Sequence, residues 1–201
     1  MANEIFNWIL ANYIELLGTI TGLVFIFLEI KENSLLWPVG IISSLLYIIV
    51  FYESKIYADM SIQFYYVIIS IYGWIKWKKN SNNIDNQNSE LKITRINGKK
   101  ALFFLFTSIA IFIVISYILI FYTDSPIPYL DASITSLSII ATLMLTQKIL
   151  EQWLVWIVVN TTSSIVCFER ELYSTTILFA VYTILSVSGY ILRKKIMKGR
   201  N

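Results

Sequence analysis

The chain has 201 residues, of which 57% are hydrophobic and only 14% charged, and its mean hydropathy is +0.66. A water-soluble domain usually carries about 25% charged residues, so this composition argues against a cytosolic globule, a disordered protein or a nucleic-acid binder. Histidine is absent and Cys167 is the single cysteine, which removes the commonest metal ligand, the usual general base and any internal disulfide. The composition predicts an integral membrane protein.

Seven apolar segments lie between the charged residues, and each is close to the roughly 17 to 20 residues that a membrane-crossing helix needs. The predicted helices 1 to 7 are Ile14–Ile30, Leu35–Tyr52, Tyr57–Trp77, Ala101–Thr123, Leu130–Gln147, Gln152–Phe168 and Leu172–Leu192. Most connections between them are short, which predicts antiparallel neighbours. The exception is the polar stretch Lys78–Lys100, which is predicted to be a mobile loop.

The distribution of basic residues predicts the orientation in the membrane. With seven crossings, 14 of the 16 Lys and Arg residues fall after helices 1, 3, 5 and 7, against Lys55 and Arg170 on the other side. Because basic residues are enriched on the cytoplasmic side, the N-terminus is expected outside and the basic tail, residues 196–201, in the cytoplasm. Residues 1–13 lack a basic start and a small-residue cleavage site, so they are interpreted as a retained interfacial helix rather than a signal peptide.

An internal repeat recurs at a spacing of 116 residues. Its matched pairs include Trp37/Trp153, Glu53/Glu169, Tyr57/Tyr173, Tyr66/Tyr182 and Gly73/Gly189. Residues 14–79 thus correspond to residues 130–195, and residues 80–123 supply the polar loop and a linker, helix 4. A shift by four helices preserves direction, so the predicted fold is an all-α integral membrane domain with 3+1+3 parallel repeats. Transporters built this way hold their substrate between the halves, near the middle of the bilayer.

The start of helix 6 carries two indoles and an amide on one face. Trp153, Trp156 and Asn160 follow one another at spacings of three and four, which places them on the same side of a helix. Asn160 lies roughly 10 Å beyond Trp153 at about 1.5 Å per residue, and therefore well inside the bilayer. The corresponding residues of the first repeat are Trp37, Gly40 and Ser44. One half would offer an aromatic wall and the other a small-residue recess, as expected for a ligand with a flat ring.

A second polar stripe lies on helix 3, where Asp59, Gln63 and Tyr66 share one face. Polar side chains inside a membrane usually face the interior of the helix bundle or a wet cavity. A ligand with an aromatic ring and hydroxyls needs stacking surfaces and a few amide or phenol partners, and indoles attract a cationic ring by about 2 kcal/mol when desolvated. The predicted substrate-binding residues are Trp153, Trp156, Asn160, Gln63 and Tyr66, with Trp37, Ser44 and Asp59 as further candidates.

Each of these candidates also has a structural interpretation. Trp153, near the inner end of its helix, is typical of the aromatic belt at a membrane surface. Asn160 can bridge two helices, for around 0.6 kcal/mol, and the same holds for Gln63 and Tyr66. Asp59, near the outer end of helix 3, fits a helix cap or a mouth residue better than a ligand contact. The pattern alone leaves these alternatives open.

Three motifs carry a resemblance to a known family. They are Trp37-Pro38-Val39-Gly40-Ile41-Ile42-Ser43-Ser44, then Tyr57-Ala58-Asp59 with Gln63, Tyr66 and Tyr72-Gly73-Trp74, and finally Trp153, Trp156 and Asn160. In this order they resemble the PnuC family of vitamin transporters, over residues 14–195. The resemblance implies a doubled SWEET-type three-helix bundle with a connecting helix, and assembly as a homotrimer. One departure is Arg193, at a position where the family often has tryptophan.

The resemblance also implies a function. It predicts passive uptake of nicotinamide riboside, made unidirectional by a cytoplasmic kinase that phosphorylates the substrate. The nicotinamide ring would lie against Trp153 and Trp156, Asn160 and Gln63 would bond its carboxamide or ribose, and Tyr66 would close the wall. Thiamine, another cation with flat rings, stays open as the substrate, as does riboflavin.

The alternatives to transport are an enzyme, or a scaffold or sensor of transporter ancestry. The sequence contains no Walker A motif, no G-x-G-x-x-G motif and no Ser-His or Cys-His arrangement. It therefore predicts no enzyme, no cofactor and no bound metal, and no nucleic acid as a partner. A scaffold stays open on sequence alone.

Overall fold

The computed structural model describes residues 13–53, 57–81, 93–123, 125–169 and 173–199. Over these ranges the chain forms seven α-helices. They are α1 (Tyr13–Ile30), α2 (Leu36–Glu53), α3 (Tyr57–Ser81), α4 (Gly98–Tyr122), α5 (Pro128–Thr146), α6 (Gln152–Glu169) and α7 (Tyr173–Gly199). The prediction of an all-α chain with seven helices in this order is confirmed. The predicted interfacial helix falls, except for its last residue, outside the described residues, as do residues 82–92 of the polar loop.

Three of the predicted boundaries differ from the observed ones by three residues or more. α3 continues past Trp77 to Ser81, and α7 continues past Leu192 to Gly199. Both helices carry lysine in their last turn, where a cation interacts favourably with the negative end of the helix dipole. α4 begins at Gly98 because the side chain of Asn97 caps it, accepting a hydrogen bond from the backbone N–H of Lys100 at 2.8 Å. Most of the predicted basic tail is therefore helical.

The chain divides into two compact units between Glu90 and Leu91. In the first unit, α2 packs against both α1 and α3. In the second unit, α4 packs on α5, α5 on α6, and α6 on α7. The linker helix therefore belongs to the second unit, where Phe104 on α4 joins a buried apolar cluster with Ile140, Met144 and Ile149.

The helices present large apolar side chains on their outer surfaces. On α4, for example, Phe103, Phe106, Ile113 and Phe121 are all exposed. Three segments of the described residues are long and apolar enough to cross a membrane, namely Gly98–Tyr122, Pro128–Thr146 and Thr176–Gly199. Shorter apolar stretches, Ile20–Ile30 and Leu36–Ile49, lie in α1 and α2. An apolar surface of this extent is suited to lipid rather than to water. That all seven helices span the membrane remains a prediction.

The connections α1–α2 and α5–α6 have the same backbone geometry. Glu32 and Lys148, which are 116 residues apart, are the non-glycine residues of the described ranges with positive φ, at 52° and 51°. Both helix ends close with the hydrogen bonds of a Schellman motif. They are Glu32 N–H to Glu29 O and Asn33 N–H to Leu28 O in the first unit, and Lys148 N–H to Leu145 O and Ile149 N–H to Met144 O in the second.

The segment before α4 is tied to the connection that leads into α6. An isolated parallel β-bridge pairs Thr94 with Ile149. Its hydrogen bonds run from Thr94 N–H to Lys148 O at 3.0 Å and from Leu150 N–H to Thr94 O at 2.9 Å. The carboxylate of Glu151 accepts a further bond from the backbone N–H of Ile96, at 3.0 Å. This clamp fixes the chain immediately before the first residue of α6.

Candidate substrate-binding site

The first three turns of α6 carry the residues for which the sequence predicts ligand contact. Trp153 is buried, with 3% of its surface exposed, Trp156 is partly buried, and Asn160 is buried at 5% exposure. None of the three faces outward, whereas Leu154 and Val158, on the other side of the helix, are exposed. The predicted face is therefore an interior face of the second unit.

Trp153 packs against a glycine on α7. A Cβ atom placed on Gly189 would lie 2.6 Å from Cζ3 of the indole, closer than any side chain could approach. The first unit repeats this contact, since a Cβ on Gly73 would lie 2.4 Å from Cη2 of Trp37. Trp37 is fully buried and meets Trp77 edge to face, with ring centroids 5.3 Å apart. Each unit thus packs one tryptophan on a glycine, which lies on α3 in the first unit and on α7 in the second.

Two polar atoms on the same face of α6 are buried without a partner. The Nε1 atom of Trp156 and the Oε1 atom of Gln152 find no hydrogen-bond partner in the described part of the chain. Gln152 precedes Trp156 by four residues, so the two side chains lie on one side of the helix. Leaving such groups unpaired costs about 1–3 kcal/mol each. One donor and one acceptor on this face are therefore buried without a partner among the described residues.

Asn160 does have a partner within the second unit. Its Nδ2 donates to the hydroxyl of Ser186 on α7, at 3.3 Å, and both residues are buried. A second link between the same helices runs from the hydroxyl of Ser164 to the carbonyl oxygen of Thr176, at 3.1 Å. The structural alternative for Asn160, a bridge between helices, is therefore a real contact. The Ser186 bond engages the amide nitrogen, and the amide oxygen is the acceptor that remains.

The other candidates lie on α2 and α3 of the first unit. Ser44 is buried, and Gln63 and Tyr66 are partly buried. The backbone of Asp59 lies in the first turn of α3, and its side chain is outside the described part. The expected recess at Gly40 is filled, because a Cβ there would lie 2.9 Å from Cε2 of Phe25. The predicted small-residue recess is therefore wrong at Gly40, because the aromatic ring of Phe25 on α1 occupies that space.

The interior face of α6 carries neutral aromatic and polar side chains. Its groups are indoles, amides and hydroxyls, which stack on rings and exchange hydrogen bonds with neutral polar groups. Within the described ranges, no group of three or more Cys, Asp or Glu side chains could hold a metal ion.

The sequence interpretation missed two residues of the second unit, Ser186 and Gln152. Ser186 lies four residues after Tyr182 and three before Gly189, on one face of α7, and the 116-residue register aligns it with Ser70. Gln152 lies one turn before Trp156. Spacing on the helix was the signal in both cases, but only the structure shows which polar atoms are paired.

Seven helices with an apolar outer surface, and a buried face of indoles and amides on one of them, are the features of a helical membrane protein. The comparison with known families agrees with this class. The chain belongs to the nicotinamide mononucleotide transporter family, whose model matches residues 12–195.

Individual relatives agree with the family match. The chain is 25% identical to the nicotinamide riboside transporter PnuC of Escherichia coli (strain K12), in an alignment that covers 89% of this chain and 83% of the relative. It is also 25% identical to the protein of the same name from Neisseria mucosa, over 93% of this chain and 74% of the relative. A crystal structure of the vitamin B3 transporter PnuC shares the fold, with a TM-score of 0.75 and 23% identity over 99% of this chain and 88% of that one.

Proposed function

We propose that this protein carries nicotinamide riboside across the cytoplasmic membrane by facilitated diffusion. Membership of the transporter family supports transport, and the names of the relatives support this substrate. The observation that carries the proposal is the interior face of α6, where Trp156 and Asn160 lie one turn apart, the Nε1 of Trp156 has no partner among the described residues, and the bond to Ser186 leaves the amide oxygen of Asn160 unused. A flat cationic ring and its carboxamide match an indole and an amide in chemistry.

Each predicted site residue has a role in this proposal. The pyridinium ring stacks on Trp156, and Trp153, seated on Gly189, supports the wall behind it. Asn160 and Gln63 bond the carboxamide or the ribose, and Tyr66 closes the site. In this proposal the first repeat contributes three further residues to the site, namely Trp37, Ser44 and Asp59.

The proposed architecture is a pair of parallel three-helix repeats joined by α4. Two recurrences at the 116-residue spacing support it, the Schellman-type turns at Glu32 and Lys148 and the seating of Trp37 and Trp153 on glycine. A central binding site between parallel repeats is the arrangement of this class of transporter. The proposal includes a homotrimer with the N-terminus outside and the C-terminus in the cytoplasm.

The proposed driving force is removal of the substrate on the cytoplasmic side. A facilitator equilibrates its substrate across the membrane, and phosphorylation inside keeps the free concentration low. The sequence has no Walker A motif with which to couple ATP to transport. A kinase for the riboside is therefore the proposed functional partner.

A binding experiment tests the substrate. The purified protein in detergent is titrated with nicotinamide riboside and with thiamine by calorimetry. We expect binding of the riboside in the wild type and loss of binding in Trp156→Ala. The matched control is Trp74→Ala, because Trp74 is 39% exposed on α3 and is expected to face lipid. Micromolar binding of thiamine with none of the riboside would reverse the choice of substrate.

A flux experiment tests the mechanism. Proteoliposomes should accumulate labelled riboside only up to the outside concentration, and beyond it when a riboside kinase and ATP are enclosed. Accumulation above the outside concentration without the kinase would contradict facilitated diffusion. A flux into protein-free liposomes as fast as that into proteoliposomes would contradict transport by this protein. Light scattering on the purified protein reports the trimer, and reporter fusions at the C-terminus report the orientation.

A further inference from the structure

The Asn160–Ser186 contact is a hydrogen bond between two interior side chains of different helices. The Nδ2 atom of Asn160 lies 3.3 Å from the hydroxyl oxygen of Ser186. Asn160 is 5% exposed and Ser186 is fully buried. A buried carboxamide can rotate so that either its oxygen or its nitrogen faces a given neighbour, and a serine hydroxyl can accept from the nitrogen or donate to the oxygen. In this structure the Ser186 hydroxyl accepts from the nitrogen, which leaves the oxygen on the side away from Ser186.

Ser186 differs from the neighbouring hydroxyls of α7. Thr183 donates to the carbonyl oxygen of Phe179 at 2.9 Å, and Ser188 donates to that of Ile184 at 3.0 Å, so both bond to their own helix. Ser186 instead accepts from a side chain of α6. Its contact therefore acts on the orientation of Asn160 rather than on the backbone of α7.

The first unit has the serine without the amide. Ser44 and Ser70 occupy the positions that correspond to Asn160 and Ser186, and both are buried. The hydroxyl of Ser70 lies 3.1 Å from the Cβ position of Gly40, so it packs where the second unit has Trp156. Ser70 is thus a matched position with no carboxamide to orient.

We propose that Ser186 is a positioning residue that holds the Asn160 carboxamide by its nitrogen and turns the oxygen toward the ligand. The inference rests on the proposed function and extends it. Asn160 then accepts a hydrogen bond from the ligand, which selects a donor such as a carboxamide NH2 or a ribose hydroxyl. Ser186 itself makes no contact with the ligand.

A double-mutant cycle tests the inference on the full-length protein. Affinity for nicotinamide riboside is measured for the wild type, Ser186→Ala, Asn160→Ala and the double variant. We expect Ser186→Ala to weaken binding about fivefold to tenfold, as for the loss of one orienting hydrogen bond. In the Asn160→Ala background the same change should have no effect, because Ser186 acts through Asn160. Ser70→Ala is the control and should bind as the wild type does.

A third substitution tests the direction of the bond. Asn160→Asp presents an oxygen to the ligand whichever way it turns, and the Ser186 hydroxyl can donate to it. We expect Asn160→Asp to bind within a few-fold of the wild type and Asn160→Leu to lose binding. Loss of binding in both, with both variants folded by their melting curves, would show that the nitrogen of Asn160 faces the ligand and would overturn the inference.

The outcomes separate the two proposals. Equal losses from Ser186→Ala in both backgrounds, or no loss in a wild type that binds the riboside, would overturn the positioning role and leave the proposed function intact. If the wild type binds thiamine instead, the substrate proposal fails, and the cycle measured with thiamine must show the same dependence on Asn160. If it binds neither, both proposals fail.

Discussion

The indole of Trp153 rests on the backbone of α7 at Gly189, with no room for even a methyl group between them. Trp37 rests on Gly73 of α3 in the same way, 116 residues earlier. Large rings seated on glycine let two helices approach closely, which is the main source of helix association where water contributes little. These two contacts are therefore expected to hold α6 to α7, and α2 to α3.

Substitution of either glycine by alanine should destabilise the protein. The added Cβ would meet buried ring carbons at 2.4–2.6 Å, and overpacking of this kind costs about 1–3 kcal/mol. We expect Gly73→Ala and Gly189→Ala each to lower the midpoint of thermal unfolding in detergent. Gly98→Ala is the control, because nothing lies within 4 Å of its Cβ position, and it should unfold at or above the wild-type temperature. Equal midpoints for all three variants would contradict the packing argument.

The clamp before α6 should depend on the carboxylate of Glu151. Its bond to the backbone N–H of Ile96 has a charged acceptor, worth about 1.5–3 kcal/mol when lost. We expect Glu151→Ala to speed amide hydrogen exchange at Ile96 by about tenfold or more, because the N–H then opens to water. Glu169→Ala, at the exposed end of α6, should leave exchange at Ile96 unchanged. Unchanged exchange in Glu151→Ala would show that the backbone bridge at Thr94 suffices.

Composition predicted the helices of this chain because long apolar runs between charges have few other stable forms in a membrane. The sequence predicts the helix ends less well. Lys78 and Lys79 mark the start of the predicted loop, yet both lie in the last turn of α3. A charge marks the edge of the apolar segment, while the helix continues into water beyond it. The 116-residue spacing predicted which residues correspond, and the turns at Glu32 and Lys148 share their geometry.

The packing partners could not be predicted, because the spacing on one helix does not say what another helix places against it. The sequence predicts an open recess at Gly40, yet Phe25 of α1 fills it. In the second unit, 116 residues later, Ala141 and Trp156 replace Phe25 and Gly40, so the large ring lies on α1 in the first unit and on α6 in the second. Likewise, the spacing on α6 predicts Asn160 as a candidate, but it does not show that α7 places Ser186 against it.

The N–H of Trp156 should contribute to binding separately from its ring. Trp156→Phe keeps an aromatic surface and removes the Nε1 donor, which has no partner in the described part of the protein. If the ligand accepts from this atom, affinity for nicotinamide riboside should fall about threefold to tenfold while binding remains measurable. The unfolding temperature should stay the same or rise, since an unpaired buried group is lost. Wild-type affinity in this variant would show that the ligand contacts only the aromatic ring and accepts no hydrogen bond from Nε1.

Gln152 offers the opposite case, a buried acceptor whose removal should help folding. Its Oε1 has no partner among the described residues, and such an atom costs about 1–3 kcal/mol when buried. Gln152→Leu has a similar volume and no polar atom, so we expect a higher midpoint of thermal unfolding. Gln152→Glu should lower it, because a carboxylate would be buried in the same place without a partner. A lower midpoint for Gln152→Leu would contradict this, because it would show that the amide has a hydrogen-bond partner in the folded protein in detergent.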